Sequence, residues 1–160
     1  MDFEKFTERS RGFVQSAQGM ALRSGHQRFT PEHLLKVLLE DEEGLASNLI
    51  RATGGRPEQA LQAVDLALDK LPKVEGSGAG QVYLAPEMAR VFDAAEKVAE
   101  KAGDKFVTAE RLLLALVMAT GTPAAEALKN AGVTAQGLNA AINEIRKGRT
   151  ADSATAENAY

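Results

Sequence analysis

Apolar residues recur along this chain three, four and seven positions apart, and no stretch of four or more residues alternates apolar with polar in the manner of a half-buried strand. The pattern predicts an all-α chain of eight helices. The first runs from about Phe3 to Ser24, with Phe6, Phe13, Ala17, Met20 and Ala21 on one stripe. Gly12 and Gly19 weaken it without ending it. The second starts where Thr30 can cap, Pro31 takes the first helical position and Glu32 faces the positive end of the helix dipole. It carries Leu34, Leu35, Leu38 and Leu39 as far as the acidic run at Glu40 to Glu43. A short third helix covers about Leu45 to Thr53 and ends at Gly54-Gly55, and a fourth opens at Pro57 and runs through Leu61, Val64 and Leu68 to Pro72. After a Gly-rich link, Pro86 opens a fifth helix whose Met88, Val91, Phe92, Ala95, Val98, Ala99 and Ala102 form the best apolar stripe in the chain. The sixth follows Thr108 with Leu112, Leu113, Leu116 and Val117, and the seventh runs from Thr122-Pro123 to about Gly132. The eighth follows Thr134 with Leu138, Ala141, Ile142 and Ile145. From Lys147 onward no stripe remains, and the end reads as an exposed linker.

The second half repeats the first. Phe29-Thr30-Pro31-Glu32-His33-Leu34-Leu35 matches Val107-Thr108-Ala109-Glu110-Arg111-Leu112-Leu113 at an offset of 78. The same offset lays Phe13 on Val91, Ala17 on Ala95, Gly25 on Gly103, Leu38 on Leu116, Ile50 on Leu128, Gly54 on Gly132 and Val64 on Ile142. Amphipathicity alone fixes neither the Thr caps nor the glycines, so the match marks an internal duplication. Two four-helix repeats follow, at about residues 3–71 and 86–147, joined by a link at 72–85 within one domain of residues 1–148, with 149–160 as a flexible linker. Each repeat is too small to hide its Ala- and Leu-rich face alone, so the two are expected to pack about a pseudo-twofold axis. A seam between them is either closed by side chains or open as a groove for a peptide.

Charge and composition narrow the function. Against 19 Lys and Arg stand 22 Asp and Glu, a net charge of −3, and neither half is basic, which argues against nucleic acid as a partner. Cysteine is absent, which excludes disulfides, thiolate catalysis and Cys-type metal sites. The longest apolar run, Leu112 to Ala119, is far short of the ~20 residues that cross a bilayer, so no membrane partner is expected and the cytoplasm is the default location. His26 and His33 do not amount to a metal site, and both read as surface residues.

Paired repeats of this length, each with a Thr-x-Glu-x-Leu-Leu start to its second helix, resemble the Clp N-terminal repeat domain, the module at the front of Clp-type AAA+ unfoldases. The link Leu71-Pro72-Lys73-Val74-Glu75-Gly76-Ser77-Gly78 and the stretch Gly103-Asp104-Lys105-Phe106 are similar to the ClpB branch, the protein disaggregases. The chain contains no G-x-x-x-x-G-K-[ST] loop, so it is expected to bind no cofactor itself. The resemblance implies ATP and Mg only for a longer parent that assembles as a homohexamer, with the isolated domain a monomer. It also implies that unfolded or aggregated proteins, or a folded adaptor, are the partners.

Six residues are singled out. Resemblance to the ClpB branch implies that Thr7, Asp104 and Glu110 mark a surface needed for chaperone activity. On the residues alone, Thr7 lies inside the first helix and Asp104 is an ordinary turn residue. Glu32 and Glu110 hold equivalent places two residues after a capping Thr, as dipole partners or as a hydrolytic acid and base pair, and resemblance to ClpC-type relatives implies instead that they accept a cationic group. Phe92 is either core or the wall of a groove along the fifth helix. Arg111 stands where ClpB relatives often carry an apolar residue, which makes such a groove more polar.

Overall fold

In the computed structural model the described residues are 3–75 and 80–159, so Gly76 to Ala79 of the Gly-rich link lie outside them. Eight α-helices follow in order: α1 Glu8–Arg23, α2 Pro31–Glu40, α3 Leu45–Ala52, α4 Pro57–Asp69, α5 Pro86–Lys101, α6 Ala109–Met118, α7 Pro123–Asn130 and α8 Ala135–Arg146. Their starts are chemical. Thr122 and Thr134 accept from the amides of Ala125 and Gly137 at 3.1 and 3.0 Å, and prolines fill the first position of α2, α4, α5 and α7. Gly25 and Gly103 end α1 and α5 at φ 74° and 84°, and Gly54 and Gly132 end α3 and α7 at 89° and 93°. These are left-handed positions that disfavour a Cβ, and they fall in pairs 78 residues apart.

The first helix starts later than its apolar stripe suggests. Phe3–Lys5 is a 3-10 turn, Phe6 is extended and bridges to Val107, and Thr7 caps α1 by accepting from the Ser10 amide at 3.1 Å. The all-helical reading also misses two short parallel strands, β1 Arg28–Phe29 and β2 Tyr83–Leu84, with Phe29 opposite Leu84. Moved by 78 residues, that pair becomes Val107 opposite Phe6, which is the second bridge. Each repeat therefore lends its leading segment to the other, and the exchange repeats about the pseudo-twofold axis.

One core runs through both repeats. Phe6 and Phe92 are wholly buried with Phe29 nearly so, ring centres of Phe6 and Phe29 lying 5.9 and 6.2 Å from Phe92. Leu34, Leu35, Leu112 and Leu113 continue the core where α2 meets α6, while α4 packs on α7 and α3 on α8. Burying apolar surface from both halves together supplies what one small repeat lacks. These side chains close the middle of the seam, while at one edge of it a cleft of about 320 Å³ stays open between Leu45, Asn48 and Leu49 of α3 and Glu110 and Ile145 of the second repeat, with Glu157 at its rim.

The linker expected at 149–160 is instead packed on the domain as far as it is described. Ala151 is fully buried, its carbonyl accepts from the Lys105 and Phe106 amides at 2.8 and 3.0 Å, and the Ala154 carbonyl accepts from the Glu8 amide at 2.8 Å. A short 3-10 turn, Ala156–Ala159, follows. Local composition carries no stripe because the segment docks by backbone hydrogen bonds and one buried carboxylate rather than by an apolar face.

Candidate functional site

Four of the singled-out residues converge beside the start of α6. Thr108 caps this helix, which puts Glu110 and Arg111 in its first turn, and the loop after α5 brings Asp104 alongside. Arg146, in the last turn of α8, is the hub. Its Nε donates to Glu110 Oε1 at 2.8 Å, Nη1 to Asp104 Oδ1 at 2.6 Å and Nη2 to Thr108 Oγ1 at 2.8 Å. Arg111 Nε donates to Asp104 Oδ2 at 3.1 Å and Nη1 to Asn139 Oδ1 at 3.2 Å. All four ionic groups are buried. Burial alone would raise the Asp104 carboxyl, but Arg146, the Ala151 amide and Arg111 together hold it below the usual aspartate range. The same carboxylates push the Arg146 guanidinium up against the effect of burial.

Thr7 joins the cluster through the tail. Its hydroxyl donates to Glu157, whose other oxygen accepts from the Ala109 amide at 3.1 Å at the start of α6. Burial pushes the Glu157 carboxyl up, and Glu110 nearby adds to the shift, although bonds from Thr7 and Ala109 oppose it. Thr7 and Asp104 are thus bonded to residues 151–157, while Glu110 is buried against Arg146, so the three do not form an open surface.

The remaining expected residues lie elsewhere. Glu32 is buried and its Oε2 accepts from the Ala124 amide at 3.0 Å, so it caps α7 in the other repeat rather than offering a free acceptor. Burial raises its carboxyl, with the Ala124 bond opposing. No described cleft is lined by both Glu32 and Glu110, and each is held by a separate partner, which removes the acid and base pair. Phe92 is core and walls no cleft. His26 and His33 are not surface residues: both are buried, with His26 Nδ1 and His33 Nε2 2.8 Å apart. His33 Nδ1 accepts from the Thr30 amide at 3.0 Å, filling the role a Glu or Gln plays in a capping box. Burial, then the neighbouring His26, lower the His33 imidazole to about 4.

Besides the cleft at the edge of the seam, a larger one lies inside the second repeat. A cleft of about 590 Å³ runs between the C-terminal half of α5, α6 and α8, with Val98, Leu114 and Met118 as apolar lining and Lys101, Arg111 and Asn139 as polar lining. Met118 is 46% exposed. The fifth helix borders this cleft through Val98, Lys101 and Ala102, whereas Phe92 is core. Sequence reasoning missed Arg146 and Glu157. Arg146 was findable, since it stands four residues after Ile142 and eight after Leu138, on the buried stripe of α8.

Comparison with known proteins accords with this geometry. The Clp repeat N-terminal domain profile matches residues 5–131. The chain is 66% identical over all 160 residues to the chaperone protein ClpB of Rhodopseudomonas palustris and 58% identical to that of Mesorhizobium japonicum, and spans 18% of the length of each. Among solved structures, the N-terminal domain of Hsp104 from Candida albicans is similar in fold, with a TM-score of 0.81 at 20% identity over 96% of this chain and 99% of that one. The N-terminal domain of an E. coli ClpV1 ATPase is similar at a TM-score of 0.73 and 20% identity, over 92% of this chain and 89% of that one. Paired four-helix repeats, a strand exchange about their axis and a profile match across most of the length place the chain in the Clp repeat N-terminal domain family.

Proposed function

We propose that this chain is the substrate-engaging N-terminal domain of a ClpB-type disaggregase. It binds exposed segments of unfolded or aggregated proteins weakly and reversibly and helps deliver them to an ATPase ring. The observation that carries this reading is the half-exposed apolar lining of the cleft, Val98 and Met118 over Leu114. What distinguishes an unfolded chain is its exposed apolar side chains, and an apolar wall open to solvent is what meets them. The identity to ClpB chaperones along the whole chain supports the same reading. The domain does no catalysis and holds no cofactor in this reading; ATP and Mg belong to the ring of the parent homohexamer in the cytoplasm, while the isolated domain is a monomer.

Affinity is low. Ordering an unfolded segment costs free energy that a partly polar cleft offsets poorly, so single-site binding is micromolar or weaker, about −8 kcal/mol at most. Several tethered copies in a ring raise the local concentration and turn weak contacts into capture. A two-dimensional NMR titration with a permanently unfolded protein tests this, with a folded basic protein as control. Shifts clustered on Val98, Leu114, Met118 and Asn139 with the unfolded ligand alone are expected. No shifts at near-millimolar ligand would overturn the reading, and shifts with a folded protein alone would replace it by docking of a folded adaptor.

A further inference from the structure

The cleft carries a charge opposite to that of the molecule. The chain is net −3, yet the cleft lining includes Lys101 from α5, Arg111 from α6, Arg146 from α8 and Arg149 beyond it, and among the described residues no Asp or Glu. Two carboxylates, Asp104 and Glu110, sit behind the lining and offset part of this charge. They also aim it, because they fix the buried guanidinium planes from the rear. Arg111 commits Nε to Asp104 and Nη1 to Asn139, while its Nη2 has no hydrogen-bond partner among the described residues. Its side chain is only 4% exposed, so the donor is held in a partly dry wall rather than freely hydrated. A guanidinium so placed favours a carboxylate, since charge-assisted bonds gain strength where water is excluded.

We propose that the cleft selects client segments in which acidic side chains flank an apolar one. The apolar side chain lies on Val98, Leu114 and Met118, and an Asp or Glu carboxylate accepts from Arg111, with Lys101 attracting a second. Cations on separate elements fit carboxylates spread along a segment and not a single chain end. The inference rests on the proposed function and names its substrate class.

Fluorescence anisotropy with three labelled peptides of one apolar sequence tests it, flanked by Glu, Gln or Lys and blocked at both termini. The Glu peptide is expected to bind about tenfold tighter than the Gln peptide, with the Lys peptide weakest and the preference shrinking as salt rises. Arg111→Leu removes the preference while leaving Asp104 paired to Arg146. Lys101→Glu, at an exposed position without a described ion pair, reduces it without touching the core. Equal binding of Glu and Gln peptides would overturn the inference and leave the proposed function standing; no binding by any peptide at near-millimolar domain would overturn both. An acidic preference unchanged in both variants would also overturn it, as would tighter binding of a Gln peptide with a free C-terminal carboxylate than of the blocked Glu peptide.

Discussion

Arg146 holds two buried carboxylates at once, and its removal separates the value of a pair from the cost of breaking one. Asp104 keeps Arg111 and the Ala151 amide, but Glu110 loses the Arg146 guanidinium. Arg146→Met is expected to cost about 3–5 kcal/mol in urea denaturation, and adding Glu110→Gln should recover part of the loss because no ionised carboxylate is then stranded. An additive double variant would mean the cluster is not coupled. His33 gives a second test. Its imidazole titrates at about 4 in the fold against an ordinary 6.5, so the unfolded chain takes up the proton first. Stability is therefore full above pH 6.5 and falls as pH drops toward about 4, by up to about 3 kcal/mol from this group. His33→Gln keeps an acceptor for the Thr30 amide and should flatten the fall, read as the urea midpoint against pH; parallel curves would refute it. Sequence made Glu32, Glu110 and Asp104 visible because a first-turn or turn position is a local property. It hid their burial, and that of the histidines, because a polar side chain is buried by partners far along the chain, such as Ala124 for Glu32 and Arg146 for Glu110.

The helices were legible where caps and stripes agree, and α2 and α4 through α8 begin where their Thr or Pro signals place them. The start of α1 was not, because Phe6 lies on the helical stripe yet is drawn into a bridge with Val107, a pairing about a hundred residues away in sequence that no local period reports. Strands β1 and β2 were missed for the same reason, being only two residues each. The offset of 78 was the strongest signal, and its glycines show why they recur. Gly54 and Gly132 turn the chain, whereas Gly55 leaves room where the two repeats meet. A Cβ on Gly55 would lie 2.9 Å from Ile50 Cγ2, 3.0 Å from Val133 Cγ2 and 3.1 Å from the Ala131 carbonyl. Gly55→Ala is thus expected to destabilise by about 1–3 kcal/mol by overpacking. Gly12→Ala, exposed inside α1 with nothing within 4 Å of the added Cβ, should stabilise by about 0.5–1 kcal/mol. Equal effects in thermal unfolding would remove the close approach as the reason for Gly55.

For the molecule taken whole, the open question is what governs the segment after α8, which covers Thr7 and shapes one rim of the cleft through Gly148 to Thr150. Its docking leans on Glu157, a carboxylate buried against Thr7 and the Ala109 amide and close to Glu110. Glu157→Ala removes the acceptor and should raise hydrogen exchange of the Glu8, Lys105 and Phe106 amides, which the segment's carbonyls protect, by roughly tenfold or more, with core helices unaffected. Because burial raises this carboxyl, the docked state binds a proton more readily than the free segment does. Docking therefore tightens as pH falls from above the raised value to below the ordinary one, the reverse of what a salt-bridged carboxylate gives. Glu157→Gln keeps an acceptor and loses the titration, so its protection should be high and flat with pH once intrinsic exchange is divided out. Release of residues 149–159 would uncover Thr7 and lengthen the reach of the domain by roughly 35–40 Å of extended chain. Docking thus limits both reach and access to Thr7. Unchanged protection in both Glu157 variants would mean that the backbone bonds of Ala151 and Ala154 hold the segment alone, and that acid has no lever on it.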